Sequence, residues 1–168
     1  MTNNEAKPQR NLSIELGRIS WLWMNSPLHR NWPVHLLAQF SIPPIELSQY
    51  VLLERDGFPV AYCSWAFMDK ETEIRYLLNP SGLARADWRS GDRLWFIDWI
   101  APFSSSDSFK LKDLLANRFP DSIARAIRVK AQKKNARVME FIGRRLERVQ
   151  AQNVLTEYHI DFLTAYAK

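Results

Sequence analysis

Asp98 is the residue whose position most needs a chemical explanation. It lies within the run LWFIDWI at residues 94–100, and because both alternating faces of this run are apolar, the pattern predicts a buried strand. A carboxylate buried there costs several kcal/mol unless another group pairs with it. Asp98 is therefore either structural, as the acid of an ion pair or an acceptor of backbone N–H hydrogen bonds, or part of an active site.

His29 is the side chain best suited to pair with that carboxylate. It lies in a loop held by Pro27 and Pro33, and such loops often position catalytic side chains. An aspartate that accepts a hydrogen bond from one ring nitrogen would fix the tautomer and leave the other nitrogen as a base. Without this pairing, His29 would be an ordinary hydrogen-bonding residue of the loop.

Ser26 stands three residues before His29 and has two interpretations. A serine next to a histidine base is a potential nucleophile. A serine at the start of a turn is also a common cap. We favour the cap, which leaves Ser26 at most an accessory role in catalysis.

One α/β domain over residues 1–168, with a flexible N-terminus at 1–11, is predicted to position these residues. Hydrophobic periodicity and turn signals predict four helices. The first runs from Leu12 and ends before Pro27, and the second is short, at 34–39, and is followed by a turn at Pro43 and Pro44. The third spans 107–119 with Asp107 as its cap, and the last has one apolar stripe formed by Leu155, Tyr158, Phe162 and Tyr166. The predicted strands are a hairpin of 50–54 and 59–68, the strand at 94–100, and strands at 123–129 and 138–142. A weaker element, of no assigned type, is predicted at 73–78.

The composition argues against several kinds of site. One cysteine and three histidines at scattered positions predict no metal site. The five glycines are too far apart for a phosphate-binding loop or a dinucleotide fingerprint. Cys63, set among apolar residues, is predicted to be a small buried side chain, and a lone cysteine points to a reducing cytoplasm. No stretch is long and apolar enough to predict a membrane span or a signal peptide.

The positive charge is concentrated in one segment. Residues 118–150 contain ten Lys or Arg against three Asp or Glu, whereas the whole chain has a net charge of +5. Such a segment attracts nucleic acid, anionic lipid or an acidic protein, unless it is only a solvated surface.

Three motifs carry a specific resemblance. They are WLWMNSPLHRNWP at 21–33, PVAYCSWA at 59–66 and SGDRLWFIDWIAPF at 90–103. Over residues 19–129 the chain resembles the toxin-activating lysine acyltransferases that accompany RTX cytolysins. The resemblance implies a GNAT-like fold with a mixed, mainly antiparallel sheet flanked by helices, and a homodimer. It also implies transfer of a fatty acyl chain from acyl carrier protein to internal lysines of an RTX protoxin in the cytoplasm.

The resemblance places the catalytic pair on His29 and Asp98. The donor would be the acyl-phosphopantetheine of acyl carrier protein, with no permanently bound cofactor and no nucleic-acid partner. A long acyl chain needs an apolar groove, for which the candidates are Trp23, Trp32, Trp65, Trp95 and Trp99. An acidic carrier protein would dock on cations, for which the candidates are Arg125, Arg128, Lys130, Lys133, Lys134 and Arg137.

Two other classes of function stay open from the sequence. One is a non-catalytic basic module that binds an acidic protein or a single-stranded nucleic acid. The other is a small-molecule N-acyltransferase that uses coenzyme A, against which the absence of a glycine-rich turn counts. Direct transfer to lysine is preferred over an acyl-enzyme on Ser26 or His29.

Overall fold

The structure is a computed structural model that describes residues 12–129 and 136–167. Helices and strands alternate in a pattern typical of an α/β protein. The helices are α1 (Leu12–Asn25), α2 (Val34–Leu47), α3 (Lys70–Leu78), α4 (Ser105–Arg118) and α5 (Arg148–Tyr166), and the strands are β1 (Tyr50–Arg55), β2 (Phe58–Met68), β3 (Arg93–Ile100), β4 (Ile123–Val129) and β5 (Ala136–Ile142).

The five strands form one mixed sheet in the order β1-β2-β3-β4-β5. Three of its pairings are antiparallel, and only β3 and β4 are parallel. Because parallel neighbours need a crossover connection, α4 links these two strands. The α/β class and the mixed, mainly antiparallel sheet flanked by helices are thus confirmed.

Alternate residues of the strands pack into two cores, one on each face of the sheet. The first core joins α1, α2 and α3 to side chains such as Tyr62, Met68 and Trp95. The second joins α4 to side chains such as Trp65 and Phe96. The sheet therefore has helices on both faces, which explains why β2 and β3 are apolar on both.

A β-bulge in β3 changes the direction of Asp98. Opposite β2, Cys63 pairs with Trp99 and Trp65 pairs with Phe96, so β3 has one more residue than β2 between these pairs. Such a bulge disturbs the regular alternation of side chains and often redirects one of them. Trp99 and Phe96 both pack on the second core, whereas Asp98, between them, contacts His29 on the first face.

The sheet opens between its two parallel strands. Their pairing is limited to three residues of each strand, Leu94–Phe96 with Ala124–Ala126. Beyond this point β3 stays paired with β2 up to Ile100, and β4 stays paired with β5 up to Val129. The opening therefore leaves the edge of β3 around Asp98 accessible from the side of β4.

Two predicted helix ends are wrong. The second helix continues through Pro43 and Pro44 to Leu47. Each proline removes a backbone donor, but both rings are buried, and the helix ends only where Ser48 takes a left-handed conformation with φ 54°. Burial of the rings offsets the lost hydrogen bonds.

Asp107 is not the cap of α4. Ser104 is, because its Oγ accepts a hydrogen bond from the Ser106 N–H at 3.1 Å. Asp107 lies in the first turn, and its carboxylate accepts from Arg55 at 2.6 Å. The hairpin of β1 and β2, the buried strand β3, and β4 are confirmed. Within the described residues, none of the helices is long and apolar enough to cross a membrane.

Candidate active site

His29 lies in a tight loop between α1 and α2. The backbone N–H groups of His29 and Arg30 donate to the Ser26 carbonyl at 3.1 and 3.0 Å, so the chain turns immediately after α1. The imidazole is only 4% exposed. Its ring centroid lies 4.8 Å from that of Trp23 and 4.7 Å from that of Trp32. Two tryptophans thus hold the ring in a fixed orientation.

The structure brings His29 and Asp98 together, although 69 positions separate them. His29 Nε2 lies 3.3 Å from Asp98 Oδ1, and Nδ1 lies 2.7 Å from Ser26 Oγ. A carboxylate can only accept, so Nε2 carries the proton and donates to Asp98, and Nδ1 accepts from the Ser26 hydroxyl. Ser26, predicted as a loop cap, therefore contacts the imidazole through its side chain, while its carbonyl accepts the loop amides.

Ser64 was not identified from the sequence. It is fully buried on β2, and its Oγ accepts a hydrogen bond from the Asp98 N–H at 3.3 Å, across the bulge. Asp98 itself is 5% exposed, and its Oδ2 has no hydrogen-bond partner among residues 12–129 and 136–167. This oxygen is therefore a buried acceptor whose hydrogen-bonding capacity is unused within the described residues.

Three weak acids surround Asp98. Burial, reinforced by the Asp98 charge, raises the pKa of the Cys63 thiol and of the Tyr62 and Tyr76 hydroxyls well above their usual values. All three groups stay protonated at neutral pH. Cys63 is therefore a poor nucleophile, and its burial confirms the prediction of a small core side chain.

A large cavity runs through the opening of the sheet. It has a volume of about 830 Å³ and contacts both His29 and Asp98. On the first face it is lined by α2 and its preceding loop, including Leu28, Leu36 and Phe40, and we call this part the α2 lobe. On the second face it continues to Ser108, Phe109, Lys112, Arg128, Met139 and Phe141, and we call this part the α4 lobe. The histidine and aspartate lie where the two lobes meet.

Two of the five candidate tryptophans line this cavity, namely Trp32 and Trp99. Trp23 packs behind the imidazole, 5.4 Å from Trp32. Trp65 and Trp95 are buried in the second and first core and do not line this cavity. Nothing in the sequence distinguishes Trp99 from the buried pair Trp65 and Trp95, because all three belong to apolar runs.

Arg125 is not on a docking surface. It is 2% exposed and forms an ion pair with Glu73 of α3. Its guanidinium lies 4.6 Å from the Trp95 ring and 4.4 Å from the Tyr158 ring. Burial lowers the pKa of Arg125 to about 10, which still leaves it charged at neutral pH. Alternation along β4 turns Arg125 inward and leaves Arg128 outward.

The other docking candidates are divided between described and undescribed residues. Arg128 and Arg137 are exposed and pair with each other across the β4–β5 ladder. Lys130, Lys133 and Lys134 lie outside the described residues.

The geometry defines what this site can do. An imidazole that is oriented by a carboxylate and bonded to a hydroxyl can take up a proton from a substrate. A long apolar cavity around it accepts a chain-like substrate. Among residues 12–129 and 136–167, no group of three or more His, Cys, Asp and Glu side chains is arranged to hold a metal ion. The arrangement is thus of the class suited to an enzyme that needs a general base and accepts an elongated apolar substrate.

Comparisons with known proteins identify the family. The model of the RTX toxin acyltransferase family matches residues 8–142. The protein-lysine palmitoyltransferase CyaC of Bordetella bronchiseptica is 53% identical over 148 residues, which cover 88% of this chain and 80% of the relative. The protein-lysine myristoyltransferase HlyC of Escherichia coli is 49% identical over 149 residues, 89% of this chain and 86% of the relative. The RTX-I toxin-activating lysine-acyltransferase ApxIC of Actinobacillus pleuropneumoniae is 47% identical with the same coverage.

The chain belongs to the RTX toxin acyltransferase family. The resemblance inferred from the three motifs is thereby confirmed, and the protein is an acyltransferase.

Proposed function

We propose that this acyltransferase transfers a fatty acyl chain from acyl carrier protein to internal lysines of an RTX protoxin. The observation that carries the proposal is the cavity that joins the two faces of the sheet, with His29 and Asp98 at its middle. A donor thioester and an acceptor amine must meet at one point, and an opening through the sheet lets them approach from different sides. The relatives named as protein-lysine acyltransferases support the same acceptor.

The reaction is direct attack of the lysine amine on the thioester. A lysine has a reference pKa of about 10.4 and must lose a proton before it attacks. His29 Nδ1 takes this proton, because Nε2–H is held by Asp98. A carbon–nitrogen bond forms, the carbon–sulfur bond breaks, and the phosphopantetheine thiol leaves with a proton. Asp98 orients the imidazole and stabilises its protonated form.

The cavity suits an acyl-phosphopantetheine donor. The acyl chain fits the α2 lobe, whose lining includes Leu28, Leu36 and Phe40. The pantetheine arm contains amide groups, and the edge of β3 that faces the opening leaves backbone donors and acceptors without a ladder partner in β4. Arg128 and Arg137, on the α4 side, contribute positive charge for an acidic carrier protein. No permanently bound cofactor is needed for these steps.

The contact between Ser26 and His29 supports a second route. Ser26 Oγ lies 2.7 Å from Nδ1, so serine, histidine and aspartate follow one another as nucleophile, base and orienting acid. In that route the acyl chain passes first to Ser26 Oγ, with loss of the carrier thiol, and then to the lysine.

We also propose a GNAT-like fold, a homodimer and a cytoplasmic location. The mixed sheet with helices on both faces supports the first. The buried free thiol of Cys63 is consistent with a reducing compartment. Sedimentation velocity at micromolar concentration tests the homodimer, for which we expect a mass twice that of the chain.

The function is tested by incubating the protein with acyl-loaded carrier protein and a candidate protoxin. Mass spectrometry of the protoxin should show lysines whose mass has increased by one acyl group. Acylation with acyl-coenzyme A alone, on a small amine, would instead favour a coenzyme A-dependent enzyme. Binding to an acidic protein or to single-stranded nucleic acid, without any acyl transfer, would favour a binding module.

A further inference from the structure

Three cations converge at the outer end of the α4 lobe. Arg128 of β4 and Lys112 of α4 both line it. Arg137 of β5 stands directly opposite Arg128 in the antiparallel ladder. Residues opposite each other on a ladder project from the same face with Cβ atoms about 5 Å apart, so the guanidinium groups of both arginines lie on the α4 side of the sheet.

Within the part of the chain that the structure describes, no carboxylate balances the charges of these three side chains. Like charges directly opposite each other destabilise a sheet. Among residues 12–129 and 136–167, neither arginine of the pair nor Lys112 has an ion-pair partner. An anion bound between them would offset this repulsion, and the position at the mouth of an apolar cavity points to the charged end of an otherwise neutral ligand.

The N-terminus of α4 is not available for the same anion. A helix N-terminus commonly binds phosphate through its free N–H groups. In α4, the Ser104 hydroxyl already accepts a hydrogen bond from one of these N–H groups, that of Ser106. The first turn also contains the buried carboxylate of Asp107, which repels an anion even though Arg55 pairs with it. A phosphate in the α4 lobe must therefore be bound by side-chain cations.

We propose that Arg128, Arg137 and Lys112 bind the phosphodiester of the donor's phosphopantetheine arm. This inference rests on the proposed function, in which acyl-phosphopantetheine is the donor. The phosphodiester carries a negative charge at the end of the arm opposite to the thioester. With that charge held at the outer end of the α4 lobe, the thioester extends inward to His29. Arginine is suited to this task because its planar guanidinium can form two parallel hydrogen bonds to a phosphate.

Two thioether probes test the proposal by calorimetry, without any need for turnover. S-octyl-4′-phosphopantetheine carries the phosphate, and S-octyl-pantetheine lacks it. The wild-type protein should bind the phosphorylated probe at least about tenfold more tightly. A tenfold change in dissociation constant corresponds to about 1.4 kcal/mol, and a hydrogen bond to a charged group contributes more than this free energy. In Arg128→Gln this preference should fall to about twofold or less. Arg89→Gln, an exposed cation that does not line the cavity, should keep the wild-type preference.

Each other outcome contradicts the proposal. If the wild type binds both probes equally, or binds neither, the α4 lobe does not hold the phosphate. If Arg128→Gln weakens both probes equally, the arginine supports the cavity and does not recognise the phosphate. If it weakens only the complex with whole carrier protein, the cations bind the acidic surface of that protein instead. The acylation assay tests the proposed function separately. That function fails if the wild-type protein transfers no acyl group from acyl carrier protein to a protoxin lysine.

Discussion

The imidazole of His29 has both ring nitrogens engaged by side chains of the protein. Asp98 accepts from Nε2 and Ser26 donates to Nδ1. An incoming amine must therefore displace the Ser26 hydroxyl from Nδ1 or pass its proton through it. The sequence predicted the pairing of His29 with Asp98, but it did not predict that the serine occupies the remaining nitrogen.

The buried imidazole of His29 also contributes to packing. A loop histidine can ordinarily be removed with little loss of packing. His29 instead packs between Trp23 and Trp32, so truncation to alanine would leave a cavity. A substitution that keeps the volume of the ring is the better probe of its chemistry.

Ser26→Ala should reduce the rate of acyl transfer by at most about tenfold, which corresponds to about 1.4 kcal/mol. In direct transfer the hydroxyl only donates a hydrogen bond to His29 Nδ1. Its removal leaves Nδ1 free to accept the proton of the amine. The measurement is the initial rate of lysine acylation, together with the intact mass of the enzyme. Complete inactivity of the variant, or an acyl-serine at Ser26 in the wild type, would show that the covalent route is correct.

At the scale of secondary-structure elements, two irregularities of the sheet create the site. The bulge in β3 directs Asp98 toward His29, and the short pairing of β3 with β4 opens the cavity. Both are invisible in the sequence, because residues on either side of the bulge are equally apolar and no glycine or proline marks it. The pattern predicted the strand at 94–100, but not the direction of its polar side chain.

An ionic cluster around Glu73 fixes the elements next to the site. The Glu73 carboxylate of α3 is buried and pairs with Arg93 of β3 and Arg125 of β4. It also accepts from Trp95 Nε1 at 2.7 Å. The Tyr158 ring of α5 covers both guanidinium groups, at 4.3 and 4.4 Å. Four elements thus depend on one carboxylate.

Glu73→Gln should lower the free energy of unfolding by about 3–5 kcal/mol, because it leaves the buried Arg125 without its counter-charge, whereas Arg93 keeps its ion pair with Asp161. Urea unfolding followed by circular dichroism measures this change. Glu46→Gln is the matched control, since Glu46 pairs with Arg85 at the surface, and loss of an exposed pair costs about 1 kcal/mol or less. Equal effects of the two variants would contradict the structural role of Glu73.

At the scale of the whole molecule, the sequence predicted the parts better than their contacts. The order of helices and strands followed from hydrophobic periodicity and turn residues, and the family followed from long aromatic motifs. Periodicity failed where tertiary packing decides, as it does for the two buried prolines of α2. It also failed for Arg125, whose charge predicted an exposed side chain, whereas the structure buries it in an ion pair with Glu73. The hydrogen bond that Ser64 accepts from the Asp98 N–H joins β2 to β3, so it depends on a strand pairing that the sequence does not show.

Filling the α2 lobe should change the preference for acyl-chain length. Leu36→Trp places a larger ring in the lobe, so long chains lose contacts worth about 0.8 kcal/mol for each displaced CH₂ group. The ratio of the rates with palmitoyl and octanoyl carrier protein should fall by about tenfold or more. Val34→Trp, on the same helix at a position that is 82% exposed in the wild type, should leave the ratio unchanged. An unchanged ratio in Leu36→Trp would place the acyl chain elsewhere.

The central claim is that Asp98 acts with His29 in acyl transfer, and the rate of lysine acylation by Asp98→Asn tests it most directly. Asparagine keeps the shape of the side chain but removes the charge that stabilises the protonated imidazole. We expect a loss of about 10²-fold or more in a variant whose circular dichroism matches the wild type. Asp87→Asn is the control, since that aspartate is also buried and pairs with Arg75 outside the cavity, and its rate should stay within about threefold of the wild type. An Asp98→Asn variant that keeps more than a third of the wild-type rate, or one that unfolds, would contradict the catalytic role of this carboxylate.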